Sequence, residues 1–137
     1  MIQRRRISKV DELHERALLF ARKLEQAREE GKITPSNTRN GRTIAKQLNE
    51  FYKWNLSGDA GVRELVNHLR CLGIPIVGDG KGYAFGKNSA ELMPTIADLK
   101  SRIAKISQAL HGLEKCARKM EQIEADIFRT IGEPPQS

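Results

Sequence analysis

Apolar positions recur along this chain at changing spacings, and each spacing predicts an element. Val10, Leu13, Ala17, Phe20, Leu24 and Ala27 step by three and four, the repeat of one helix face. Ser8 is placed to cap that helix with Asp11 three residues on, and Gly31 to end it. Leu18, Leu19 and Ala21 widen the stripe, as in helices buried in a globular core. Ile33 and Thr34 have the character of a short strand before the turn chemistry of Pro35-Ser36-Asn37. A second helical stripe follows, Ile44, Ala45, Leu48, Phe51 and Tyr52, with Asn40 or Thr43 as its cap. Trp54-Asn55-Leu56 should anchor the next turn in the core. A third stripe, Val62, Leu65, Val66, Leu69 and Leu72, predicts a helix over roughly Asp59 to Leu72. Ser57 is its expected N-cap, Asp59 suits the first turn of the dipole, and Gly73 is the stop. Gly61 within it either permits the close approach of a partner or relieves packing.

The spacing then shortens. Ile74-Pro75-Ile76-Val77 and Tyr83-Ala84-Phe85 read as two strands around Gly78-Asp79-Gly80-Lys81-Gly82, a glycine-cornered hairpin with Tyr83 and Phe85 expected to pack inward. No helix stands directly behind this turn, so a phosphate-cradling loop is excluded by context. Two helices followed directly by a two-stranded ribbon is the order of a winged helix-turn-helix, whose second helix can enter a DNA groove.

Asn88 or Ser89 can cap a last helix. Pro94 either precedes its true start or bends it. Beyond that, Ile96, Leu99, Ile103, Ile106, Leu110, Leu113, Ala117 and Met120 alternate steps of three and four. With Ile96 at heptad position a and Leu99 at d, the register holds for more than three heptads. It breaks at Glu124, with Ile127 the next d. From Ile96 to Met120 such a helix extends about 37 Å, more than a winged-helix core needs for its own cover. The seam therefore seeks either the first helix or the same rod in a second subunit, and its length favours a homodimer. The flanking Thr95, Lys100, Arg102, Ser107, Ala109, Glu114 and Cys116 offer few complementary charges, so they do not set the orientation. The expected organisation is a basic arm over 1–9 and a winged helix-turn-helix over 10–88. A coiled-coil helix over 89–130 and a disordered tail over 131–137 complete it.

Charge sharpens this picture. The formal net charge is +7, with +4 on residues 1–10 and +5 on 31–88 against −2 on 11–30 and zero on 89–137. Positive charge on the arm and the helix-turn-helix suits a polyanion. No apolar run reaches membrane-spanning length, and the first residues lack the apolar stretch of a signal peptide. Two isolated cysteines, Cys71 and Cys116, fit reduced thiols and a cytosolic location.

Arg63, Asn67 and Arg70 share the face of the third helix opposite Val62 and Leu69. Arg can read guanine and Asn adenine through paired hydrogen bonds. Any solvated helix face also carries such residues, and it is the surrounding helix order that makes this trio informative. Lys81 at the hairpin tip and Lys87 beyond it are candidates for phosphate contact, as are Arg39 and Arg42 at the start of the second helix. Ser57, at the head of the third helix, joins this set. Arg4, Arg5 and Arg6 form an arm that follows the DNA backbone or enters a minor groove, or else a frayed basic terminus. His14, His68 and His111 fall on three different helices without spaced acidic or cysteine partners, so no metal site, cofactor site or catalytic arrangement is legible.

The segment Asp59 to Tyr83, DAGVRELVNHLRCLGIPIVGDGKGY, resembles the winged helix-turn-helix of the biotin-operon-repressor type. It looks closest to that domain in small phage and prophage proteins with a C-terminal helix. Val62, Leu65, Val66, Leu69, Arg70, Gly73, Ile74, Pro75, Ile76, Gly80, Lys81, Gly82 and Tyr83 carry the likeness, which covers about Arg42 to Lys87. The segment Glu50 to Asn55 is longer than usual, and nothing matches a biotin-handling domain. The resemblance implies a mainly α DNA-binding protein with a small β-hairpin wing. It would serve as a transcriptional regulator or replication-origin binder on double-stranded DNA. An oligomeric packaging subunit and a winged helix used only for protein contact are the alternatives.

Overall fold

The computed structural model describes residues 8–132. Among them are four helices and one two-stranded antiparallel sheet: α1 (Lys9–Glu29), α2 (Gly41–Tyr52), α3 (Gly58–Cys71), β1 (Ile76–Gly78), β2 (Tyr83–Phe85) and α4 (Ser89–Gly132). The chain divides into a compact unit that ends at Ile96 and a second from Ala97 onward. The first turns of α4 thus belong to the first unit, beyond the expected domain edge at residue 88.

In the first unit the three amphipathic stripes close on one another. Phe20, Val62, Leu65, Val66 and Leu69 are almost wholly buried, and Ile44, Leu48, Ile76 and Val77 complete the aliphatic core around them. Ser8 caps α1 as its spacing predicts, accepting from the Asp11 backbone N–H. At the other end Gly31 takes a positive φ while Lys32 N–H reaches back to the Ala27 carbonyl, a glycine-terminated helix stop. Gly73 closes α3 in the same way, with Ile74 N–H bonded to the Leu69 carbonyl. Asn40 is the cap of α2, its side chain accepting from Arg42 N–H at 2.8 Å.

The turn between α2 and α3 has several independent fastenings. Lys53 ends α2 in the left-handed region at φ 59°. Trp54 stacks on Tyr52 at 5.0 Å beneath the Arg16 guanidinium of α1. Asn49 reaches forward from α2, accepting from Leu56 N–H at 2.9 Å and donating to its carbonyl at 3.2 Å. At Gly61 a side chain would meet Leu56 at 3.0 Å. Its glycine therefore relieves packing between α3 and the turn.

Several expectations give way. Ile33 and Thr34 form no strand; Ile33 is buried and Thr34 makes a single bridge to Asn37 across the turn. Val10, Phe51 and Leu72 lie on predicted apolar faces yet are exposed. Each sits in an end turn of its helix, where the neighbouring elements no longer cover the face. Phe51 borders an open groove of about 500 Å³ between α1 and α2. In the hairpin Ala84 is fully buried, while Tyr83 and Phe85 pack against the core partly buried, as expected. Ala84, paired with Val77, takes the fully covered side of the strand, alternating with Tyr83 and Phe85.

Thr95 was expected on the coiled-coil flank, but it is buried and clamps β1. Its hydroxyl accepts from Gly78 N–H at 3.1 Å and donates to the Gly78 carbonyl at 3.2 Å. Asn88 caps the start of α4 by accepting from Glu91 N–H. Pro94 lies inside the helix, which runs without interruption to Gly132, two residues past the expected limit at 130. No described helix is long and apolar enough to cross a membrane.

In the second unit, Ala97–Gly132 is helical throughout. Ile103, Ile106, Leu110, Leu113 and Met120 are all more than half exposed. Beyond Glu124, Ile127 and Ile131 return to the d and a positions and are exposed too. The heptad series thus outlasts its one acidic interruption.

Candidate nucleic-acid interface

The hairpin tip is built by one carboxylate. Asp79 accepts from the backbone N–H groups of Lys81 and Gly82 at 2.9 and 3.0 Å and from the Thr38 hydroxyl at 3.1 Å. Burial pushes its acidity down, yet these bonds outweigh burial and hold its pKa below the usual aspartate value. An Asp-Gly pair in a turn is the sequence signal for such self-bonding. Lys81 is thereby presented, exposed, at the apex.

A third extended segment joins the hairpin. Arg39 and Tyr83 exchange backbone hydrogen bonds at 2.9 and 3.0 Å, an antiparallel bridge at the edge of β2. Gly82 is required there, because a Cβ would fall 2.3 Å from the Arg39 carbonyl oxygen. Asn40 adds a longer bond from its amide to the Lys81 carbonyl. The hairpin is thus stitched to the head of α2, and Arg39, Arg42 and Lys81 lie on adjoining segments. Arg39 also donates to Gln47, whereas the side chain of Arg42 is exposed.

The third helix meets the same corner. Asp59 packs over Gly41, where any side chain would collide with it, and the Tyr83 ring lies alongside. The other carboxylate oxygen of Asp59 holds Arg63 one turn further on. That partner, with a smaller contribution from Tyr83, raises the Arg63 pKa above its usual value. The i,i+4 spacing of Asp59 and Arg63 is legible in the sequence as a helix pair. Arg63 remains 70% exposed, and Asn67 is exposed one turn beyond it.

The rest of the predicted set is dispersed. Arg70 turns back against the hairpin, donating to the Ile76 carbonyl at 2.9 Å, and so braces β1 against α3 instead of extending the outward face. Ser57 stands at the N-cap of α3 but makes no side-chain capping bond. Lys87 follows the far end of β2 from Lys81. Its backbone N–H donates to Glu91, which also pairs with Arg28 at 2.7 Å. The Arg28 guanidinium and the Lys87 amide hold the Glu91 carboxyl below its usual range. Arg4, Arg5 and Arg6 lie outside the described residues.

Sequence spacing left His14 and His68 apart on separate helices. Folding brings Nδ1 of His14 within 3.0 Å of Nε2 of His68, an edge-on contact between α1 and α3. Only the packing of the helices reveals that pair. No group of three or more His, Cys, Asp or Glu side chains among the described residues is arranged to hold a metal ion. The chain matches no protein-family model, no curated protein and no solved structure.

Proposed function

We propose that this protein is a winged helix-turn-helix that binds double-stranded DNA sequence-specifically as a homodimer. It would act as a phage-type transcriptional regulator or replication-origin binder without enzymatic activity of its own. One observation carries the reading: the hairpin is bonded to the head of α2 at Arg39–Tyr83, on the corner where Arg63 of α3 is exposed. Arg63 and Asn67 then read base edges, while Arg39, Arg42, Lys81 and, further off, Lys87 position the backbone. Arg70 supports the hairpin from behind. The likeness of Asp59–Tyr83 to biotin-operon-repressor winged helices agrees with this assignment.

Selection of bound duplexes from a random pool, followed by titration against salt, tests it. A recovered motif and a steep loss of affinity with salt are expected. Binding with no motif and a flat salt response would overturn it. The exposed seam of α4 also favours a second reading, a self-assembling packaging subunit. Solution mass separates them, a dimer supporting the regulator and a larger ring the subunit.

A further inference from the structure

We infer that α4 pairs with α4 of a second copy in antiparallel orientation, a conclusion that rests on the dimeric reading above. The helix runs unbroken to Gly132, so the layers at Ala117 and Glu124 and the flank at Glu121 belong to the same seam as Ile96. These three residues distinguish the two orientations.

A parallel pair in register stacks every a residue on its own copy. Ala117 would face Ala117, leaving an underfilled layer between layers of Leu113 and Met120. Glu124 would face Glu124, placing two carboxylates in one core layer. The flanks offer no relief, since g-to-e′ pairing sets Lys100 against Thr95 and Glu121 against Cys116.

An antiparallel pair sets a layers against d layers. Centred between Leu110 and Leu113, it places Ala117 against Ile106, a small residue against a large one. Glu124 meets Leu99 and no second carboxylate. Position e faces e′ in this arrangement, so Lys100 stands opposite Glu121 near both ends of the same flank of the rod, with Glu124 one turn from Glu121. The N-terminal cation of each copy thus covers the C-terminal acids of the other. Ile96 meets Ile127, which separates the two Ile96 ends by about 47 Å at 1.5 Å per residue. The two DNA-reading units are then attached at opposite ends of the rod.

Disulfide trapping in the full chain tests the orientation, with Cys71→Ser and Cys116→Ser as background. Ile103→Cys and Met120→Cys are made separately; both positions are exposed in the single chain, so the variants fold. Antiparallel pairing predicts that neither variant cross-links alone and that an equimolar mixture does. Self-linking of Ile103→Cys would overturn the orientation and leave the dimer standing. Absence of any link with a dimeric solution mass would overturn this register, and a monomeric mass would overturn the dimer as well. Charge exchange supplies an independent measure. Lys100→Glu or Glu121→Lys alone should weaken self-association about tenfold, and the double variant should restore it. Failure of the double variant to recover would overturn the Lys100–Glu121 pairing.

Discussion

The unit ending at Ile96 and the helix beyond it carry apolar residues at the same helical spacing and treat them in opposite ways. Leu65 and Leu69 of α3 are at most 1% exposed. Ile103 and Leu113 of α4 are 66% and 71% exposed. In the first case α1, the α2 turn and the hairpin close over the stripe; in the second the single chain leaves it to solvent. Burying each such side chain contributes about 1.5–3 kcal/mol, so a seam of this length favours the association proposed above. Amphipathic spacing therefore reports that a face requires cover. Chain topology supplies the cover in one unit; in the other the proposed association would supply it.

This contrast can be broken experimentally, most strongly at the centre of the rod. Leu110→Asp places a carboxylate in a core layer of each copy and should leave the chain monomeric by sedimentation equilibrium. Unfolding of the first unit should shift by less than about 0.5 kcal/mol, as for exposed substitutions away from special features. A dimeric mass for this variant would mean that the seam is not the interface. The complementary change is Leu69→Ala in α3. Loss of a fully buried leucine should cost about 2–5 kcal/mol in urea unfolding while the isolated association of α4 persists.

A smaller effect probes the exposed face of α3. Arg63→Ala should weaken the selected duplex by about 1–3 kcal/mol and leave non-specific binding nearly unchanged. Equal loss on all sequences would remove Arg63 from base reading. The smallest effect concerns pH and the hairpin tip. Because folding lowers the Asp79 pKa, its ionised form contributes stability that is complete above the usual aspartate range. That contribution declines as pH falls through this range toward the lowered folded value. Asp79→Asn should therefore reduce the acid-side slope of stability between about pH 5 and 2. An unchanged slope would show that the tip does not depend on the carboxylate.

Much of the first unit was legible because its signals are local. Ser8, Asn40, Gly31 and Gly73 act on their own helix ends, and the hairpin announces itself through its glycines. The long-range contacts were not legible. Arg70 has the spacing of an outward residue, but the carbonyl of Ile76 lies within its reach once β1 packs on α3. Thr95 falls on a heptad flank, yet the end of β1 claims its hydroxyl. Among the candidate contacts, spacing located Arg63, Asn67 and Lys81 on exposed surface. Asp59 and Asp79 have local signals, an i,i+4 pair and an Asp-Gly turn, but the bond from Thr38 to Asp79 exists only once the chain is folded.

Pro94 withholds from α4 the hydrogen bond that its nitrogen would otherwise make one turn back. The opening turns of the helix consequently lean on outside bonds, from Asn88, from Arg28 through Glu91, and from Gly78 through Thr95. Fraying of those turns and loosening of the hairpin edge are thus one opening event shared by two elements. Coupling free energies are reciprocal: any ligand that stiffens the hairpin, the proposed duplex included, would slow amide exchange at the head of α4. Any strain that unwinds the head of α4 would, in return, loosen the hairpin edge.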